Sequence, residues 1–219
     1  MLSRFDDLVR IEAGTGYDLR SFTAHIAFLT TRSLFFRKAL SGAWKEAEER
    51  VVKLPEDESN IVELYLQCVY GLPISVEPNP VPENHLGYSE RLELAKLYVF
   101  AEKVQDVRAK NIALKTFLKC VWKLWRDGSW CDPGEQVVHI LYEGTVSGSP
   151  MRRLLVDIYA HAITSPVAFR TDYPYPNEFL ADVVTELTKT RLGCFSQNPR
   201  LRSGHSAGNY LEEEEAVNN

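Results

Sequence analysis

Between Phe22 and Phe36 the side-chain period of this chain changes. Phe22-Thr23-Ala24-His25 alternates apolar and polar residues, while Ile26, Leu29 and the run Ser33 to Leu40 place apolar side chains three and four apart. Alternation suits a half-buried strand and the wider spacing suits a helix, and neither period fits the other element. A strand must therefore hand over to a helix near His25, and any fold for this chain has to accommodate that junction.

The flanking segments extend the pattern. Leu8-Val9-Arg10-Ile11-Glu12 alternates, Ala13-Gly14-Thr15-Gly16 signals a turn, and Tyr17 to Ala24 alternates again through Leu19, Phe22 and Ala24. This reads as a β-hairpin with one buried face. Two short helices follow from His25 to Leu40. Val51-Val52-Lys53-Leu54, ended by Pro55, is a third strand, and Glu56-Asp57-Glu58-Ser59 places acids and a cap residue at the positive end of the next helix. Ile61, Leu64, Tyr65 and Cys68 form one stripe of that helix, and Gly71 is its stop.

Beyond this point no strand pattern recurs. Leu72 to Ser89 carries Pro73, Pro78, Pro80 and Pro82 and reads as an exposed loop. Glu90 to Val104 is apolar almost all round, which predicts a helix buried on several sides. Asp106 to Leu124 is another helix, with Ala113, Phe117, Cys120, Val121 and Leu124 on one face and Asp127-Gly128-Ser129 breaking it. Asp132-Pro133-Gly134-Glu135 has the form of a capping box before Val137, Val138, Ile140 and Leu141, with Gly144 as the end. Ser149-Pro150 opens a helix that turns Met151, Leu154, Leu155, Ile158 and Tyr159 inward. Tyr173-Pro174-Tyr175-Pro176 is a rigid connector. The last helix, Asn177 to Leu192, is expected to bury Leu180, Val183, Val184 and Leu187. From Ser196 the chain is polar and ends in Glu212-Glu213-Glu214-Glu215, an acidic tail expected to be disordered. Strands interleaved with helices, followed by helices only, make an α+β fold with an α-helical extension.

The chain has 219 residues, 45% of them hydrophobic, enough to bury a core in one domain or two small ones. Its net charge is −5, and no basic block occurs, so binding driven by nucleic-acid phosphates is disfavoured. No apolar run approaches the ~20 residues of a membrane span, and Met1-Leu2-Ser3-Arg4-Phe5-Asp6-Asp7 lacks the apolar middle of a signal peptide. A cytosolic or nuclear location is expected. Cys68, Cys120, Cys131 and Cys194 never form Cys-x-x-Cys, and they read as reduced, structural residues rather than as a disulfide or zinc set.

Catalytic patterns are missing from the sequence. Neither Gly-x-Gly-x-x-Gly, nor a Walker loop, nor Gly-x-Ser-x-Gly occurs. His25 has no second histidine or carboxylate at ligand spacing and reads as a packed residue bonded to a helix end. His139 and His161 fall on separate helices and read as structural or surface residues. No cofactor, metal or small-molecule substrate is expected, and no enzyme. Trp44 beside Glu46 has two readings: a partner contact, since an exposed tryptophan next to a charge is a frequent hot spot, or a core residue with a solvated neighbour. Glu46, Glu48, Glu49 and the acidic tail read as solvated charge rather than as a site for a basic partner.

Taken in order, these pieces resemble the BTB/POZ domain of the short fungal type. Asp7-Leu8-Val9, Phe22-Thr23-Ala24-His25, Arg32-Ser33-Leu34-Phe35-Phe36, Ala43-Trp44-Lys45-Glu46, Val52-Lys53-Leu54-Pro55-Glu56-Asp57, Tyr65 to Gly71 and Leu94 to Lys103 match that family over about 110 residues. Pro133 to Leu192 is similar to the helical tail of fungal members. The resemblance implies a BTB/POZ domain over residues 1–125 with a proline-rich loop at 72–89, a helical extension over 130–195 and the tail at 196–219. It also implies a protein-interaction adaptor without catalysis, which either recruits a cullin ubiquitin ligase as a substrate receptor or serves as a stand-alone oligomerisation module, with a homodimer as the common assembly. Cullin-binding members use an apolar-x-Glu element, which Trp44-Lys45-Glu46 matches, with Leu40 nearby. Two departures stand out. Ile26 occupies a position that is usually basic, so the family's charged pocket is not expected here. Six residues precede Asp7 where dimerising members carry a further helix, so the swapped dimer is not expected either.

Overall fold

The computed structural model describes residues 7–41, 44–74, 76, 88–122, 132–161, 174–192 and 207–213. By compactness the chain forms two units, one of residues 1–75, 100–112 and 213–219, the other of 76–99 and 113–212. The expected boundary near 125–130 is not where this division falls, since two helices each contribute to both units. Most of the proline-rich loop, Asp127-Gly128-Ser129, Cys131, Cys194 and the start of the tail lie outside the described residues.

In the first unit, strands β1 (Leu8–Ala13), β2 (Arg20–His25) and β3 (Val51–Leu54) form a sheet in the order β2-β1-β3. β1 is antiparallel to β2, with Ile11 opposite Phe22, and parallel to β3, with Ile11 opposite Val52. The alternation in β1 buries Val9, Ile11 and Ala13 and leaves Leu8 exposed. A parallel pair needs a crossover, and helices α1 (Ile26–Arg32), α2 (Leu34–Ala39) and α3 (Lys45–Glu49) supply it. The change of period at His25 is thus the place where the hairpin ends and the crossover begins.

The second strand starts later than its alternation suggests. Gly16–Asp18 is a 3₁₀ turn, which leaves Tyr17 and Leu19 exposed. The turn delivers Asp18 to the first residue of α4 (Ser59–Val69), where its carboxylate accepts the Ser59 N–H and hydroxyl, each at 2.9 Å. Ser59 is therefore not the cap; an aspartate forty-one residues upstream serves that end. Gly14 permits this turn, because a Cβ there would lie 2.6 Å from Asp18 Oδ2. At the other end of α4, Gly71 (φ +68) closes a Schellman motif, with Leu72 N–H donating to the Gln67 carbonyl at 2.9 Å. Ile61, Leu64, Tyr65 and Cys68 are all buried, as their spacing required.

Helix α5 (Tyr88–Lys103) has no exposed residue from Glu90 to Glu102, in keeping with its all-round apolar pattern. Asp106 opens α6 (Val107–Val121) by accepting the Ala109 N–H at 2.9 Å. The same fully buried carboxylate meets Arg32 Nε at 3.1 Å and the Tyr65 hydroxyl at 3.2 Å.

In the second unit, α7 (Glu135–Gly144) begins three residues after Asp132. Gly134 has φ +92, which no helical residue adopts, and Asp132 Oδ1 accepts its N–H at 2.8 Å. The capping box is thus replaced by a local Asx turn. α8 (Pro150–His161) starts at its proline and buries Met151, Leu154, Leu155, Ile158 and Tyr159 as expected, together with the charged Arg152 and Asp157, which the pattern did not single out. Arg152 holds the end of α7: Nε donates to Thr145 Oγ1 at 3.0 Å, Nη2 to the carbonyls of Tyr142 and Thr145, and Nη1 pairs with Glu178 at 2.9 Å.

α9 (Asn177–Leu192) has the expected length but presents a different face. Phe179 and Val183 are buried, whereas Leu180, Val184 and Leu187 are exposed. Phe179 sits among Tyr142, Tyr159 and Tyr175 at ring separations of 5.0 to 5.4 Å, and moving the anchor from position 180 to 179 rotates the helix by about 100°. The tail is also anchored at one point. Ala207–Tyr210 is a 3₁₀ turn, with Tyr210 buried and its hydroxyl 2.6 Å from Asp157 Oδ2, so the expectation of disorder from Ser196 onward fails there.

Candidate functional site

Two short helices frame the residues singled out for partner binding. Leu40 is the C-cap of α2, half-buried, with its N–H bonded to the Phe36 carbonyl at 3.0 Å. Trp44 is the N-cap of α3, and its carbonyl accepts the N–H groups of Ala47 and Glu48 at 3.0 and 3.2 Å. Residues 42 and 43 between them lie outside the described residues.

Trp44 is 65% exposed, which rejects the alternative that it folds into the core. Its backbone is fixed by the start of α3 while its ring faces solvent, a combination that offers large contact area at small entropic cost. Glu46 is half-buried in the first turn of α3, where the helix dipole favours a negative charge. Lys45 pairs with Glu49 at 3.4 Å, one turn along. The helix ends on Arg50 in the left-handed region (φ 53, ψ 42), whose carbonyl accepts the Arg10 N–H at 2.9 Å. That turn is secured by an ion pair of Arg50 Nη1 with Asp7 Oδ1 at 3.1 Å. The acid before the first strand thus finds its counter-charge in Arg50, while Ile26 donates its backbone N–H to the Asp7 carbonyl at 2.9 Å.

His25 is not a ligand in this arrangement. Its Nδ1 lies 2.8 Å from the Tyr70 hydroxyl, and its backbone N–H donates to the same oxygen at 3.0 Å. The oxygen accepts from the backbone and can donate to the ring, so the histidine reaches the end of α4 through the side chain of its C-cap residue. Phe28 packs edge-on against both rings.

Residues that the sequence reading passed over also converge. His161 comes together with Asp157, one turn earlier on α8, and with Glu186 of α9, their ligand atoms within 4.8 Å of one another. The Asp-x-x-x-His spacing was visible in the sequence, but its third member depends on how α9 is rotated. His139, by contrast, bonds the Pro174 carbonyl at 2.8 Å and is structural.

Compared with protein-family models and with curated protein sequences, the chain matches none. No helix among the described residues is long and apolar enough to cross a membrane.

Proposed function

We propose that the chain is a non-catalytic protein–protein interaction adaptor built on a BTB/POZ fold, and that its partner surface is the start of α3, with Trp44 as anchor, Glu46 as charged neighbour and Leu40, four residues before Trp44 in the chain, as a further contact. The observation that carries this reading is the exposure of Trp44 on a fixed backbone. A hairpin followed by a helical crossover to a parallel strand supports it, as does the succession of motifs from Asp7 to Lys103. A cullin ubiquitin-ligase scaffold is the partner to which the Trp44-Lys45-Glu46 element points, in the cytoplasm or nucleus.

A pull-down of purified cullin by the full chain tests the reading. The wild type should retain the cullin, and a Trp44→Ala, Glu46→Ala double variant should lose it. If the wild type retains none at micromolar concentration, the ligase role is wrong. Light scattering over a concentration series would then show whether the chain is an oligomerisation module.

A further inference from the structure

Asp157 and His161 are one helical turn apart, so their side chains rise on the same face of α8. Glu186 approaches from α9. Asp157 is 2% exposed, and the side chains of His161 and Glu186 are 13% and 14% exposed. A carboxylate oxygen of Asp157, a ring nitrogen of His161 and a carboxylate oxygen of Glu186 all lie within 4.8 Å of one another.

The geometry differs from that of a simple hydrogen-bonded pair. His161 Nε2 stands 3.5 Å from Glu186 Oε1, beyond the ~2.7–3.2 Å of a good hydrogen bond. This nitrogen is buried, and no hydrogen-bond partner for it occurs among the described residues. Two ligands bonded at ~2.0–2.1 Å to a tetrahedral ion are about 3.4 Å apart, close to the separation seen. One imidazole and two carboxylates form a donor set that zinc accepts; Glu186 Oε2 meets Lys189 Nζ at 3.3 Å, and ion binding would have to displace or share that partner.

The surroundings fit as well. The Tyr210 hydroxyl donates to Asp157 Oδ2 at 2.6 Å, the kind of outer hydrogen bond that orients a ligating carboxylate. Asp157 and Glu186 also line a cavity of about 250 Å³ together with Arg153, Asp182 and Lys189, which gives an ion an entry path and a water a place beside it.

We propose that Asp157, His161 and Glu186 bind one divalent transition-metal ion, zinc in the first instance, as a three-ligand site that fastens α8 to α9. Glu186, the ligand on the second helix, closes the set by a side-chain adjustment. Water completes the coordination from the cavity side.

The test uses the full chain, stripped with a chelator and dialysed, titrated with zinc chloride by calorimetry and with cobalt(II) by visible absorption. The expected result is one ion per chain with a dissociation constant of about 1 μM or below and a raised thermal midpoint, since the ion binds the folded form. His161→Gln and Glu186→Gln should each weaken binding at least ~100-fold, while His139→Gln should bind as the wild type does. Both substituted groups are partly exposed, and circular dichroism of the metal-free variants checks their folding. If either variant fails to fold, the other and the wild-type titration decide. Absence of saturable wild-type binding below ~100 μM would overturn the proposal. So would one-to-one binding that survives both substitutions, or a cobalt–thiolate charge-transfer band, which would place the ion on cysteines.

Discussion

Arg32 Nε lies 3.1 Å from Asp106 Oδ2, joining the crossover helix α1 to the cap of α6. The Asp106 side chain is fully buried and that of Arg32 is 11% exposed. Arg32 Nη1 also donates to the Cys68 carbonyl, so this one guanidinium also satisfies a carbonyl near the end of α4. Asp106→Asn keeps a capping oxygen but removes the charge, leaving Arg32 nearly buried without its counter-ion. The expected cost is about 3 kcal/mol in a denaturant titration. Combined with Arg32→Met, the loss should fall short of the sum of the single losses by at least ~1 kcal/mol. Additive losses would mean that the pair is not coupled.

Cys68 shares this neighbourhood. Burial pushes its thiol up to about 12 from an ordinary 9.0, with Arg32 opposing and Asp106 adding to the rise. Only the thiolate reacts, so alkylation of Cys68 in the folded protein near pH 8 should run about 1000-fold slower than in the denatured chain. Peptide mass spectrometry after timed iodoacetamide treatment measures this. Similar rates in both states would contradict it.

Asp18 gives the fold an acid-sensitive element. The Ser59 N–H, and then the Ser59 hydroxyl, hold its carboxyl below the usual 3.8. A carboxyl whose value falls on folding stabilises above its unfolded value, and that contribution is lost as pH drops through the folded value. The thermal midpoint of the wild type should therefore exceed that of Asp18→Asn by a constant margin from pH 7 to about pH 4.5 and by a shrinking margin below about pH 3.8. A margin that grows on acidification would contradict the capping role.

Gly144 is required for space rather than for backbone freedom. A Cβ there would meet the Val99 side chain, 2.7 Å from Cγ2, where α7 passes α5. Gly144→Ala should cost about 1–3 kcal/mol in spite of the better helix propensity of alanine. A stabilised variant would show that the two helices can part without loss.

Those residues also show what the sequence could and could not reveal. The stripe Ile61, Leu64, Tyr65 and Cys68 and the alternation of Val9, Ile11 and Ala13 are local periodicities, and burial follows them directly. The capping of Ser59 by Asp18 is a long-range event in which each residue has an ordinary neighbourhood. The length of α9 was legible, but its rotation was not, because Phe179 is drawn in by Tyr142 and Tyr159 from earlier helices as well as by its near neighbour Tyr175. Glu186 was invisible as a neighbour of His161 for the same reason: with α9 rotated about Phe179, residues 179, 183 and 186 turn inward in place of 180, 184 and 187. In the candidate site the sequence picked out Trp44 but could not choose between a core and a surface position; the start of α3 at Lys45 places the ring outside.

The central claim is that Trp44 anchors a protein partner. Titration of the full chain with the purified amino-terminal region of a cullin, read by calorimetry, tests it most directly. The account predicts micromolar or tighter binding by the wild type. It also predicts at least ~30-fold weaker binding by Trp44→Ala, as for a hot-spot tryptophan, and no change for Val146→Ala, which is equally exposed at 65%. Wild-type binding that Trp44→Ala leaves intact, or no wild-type binding at micromolar concentration, would contradict it.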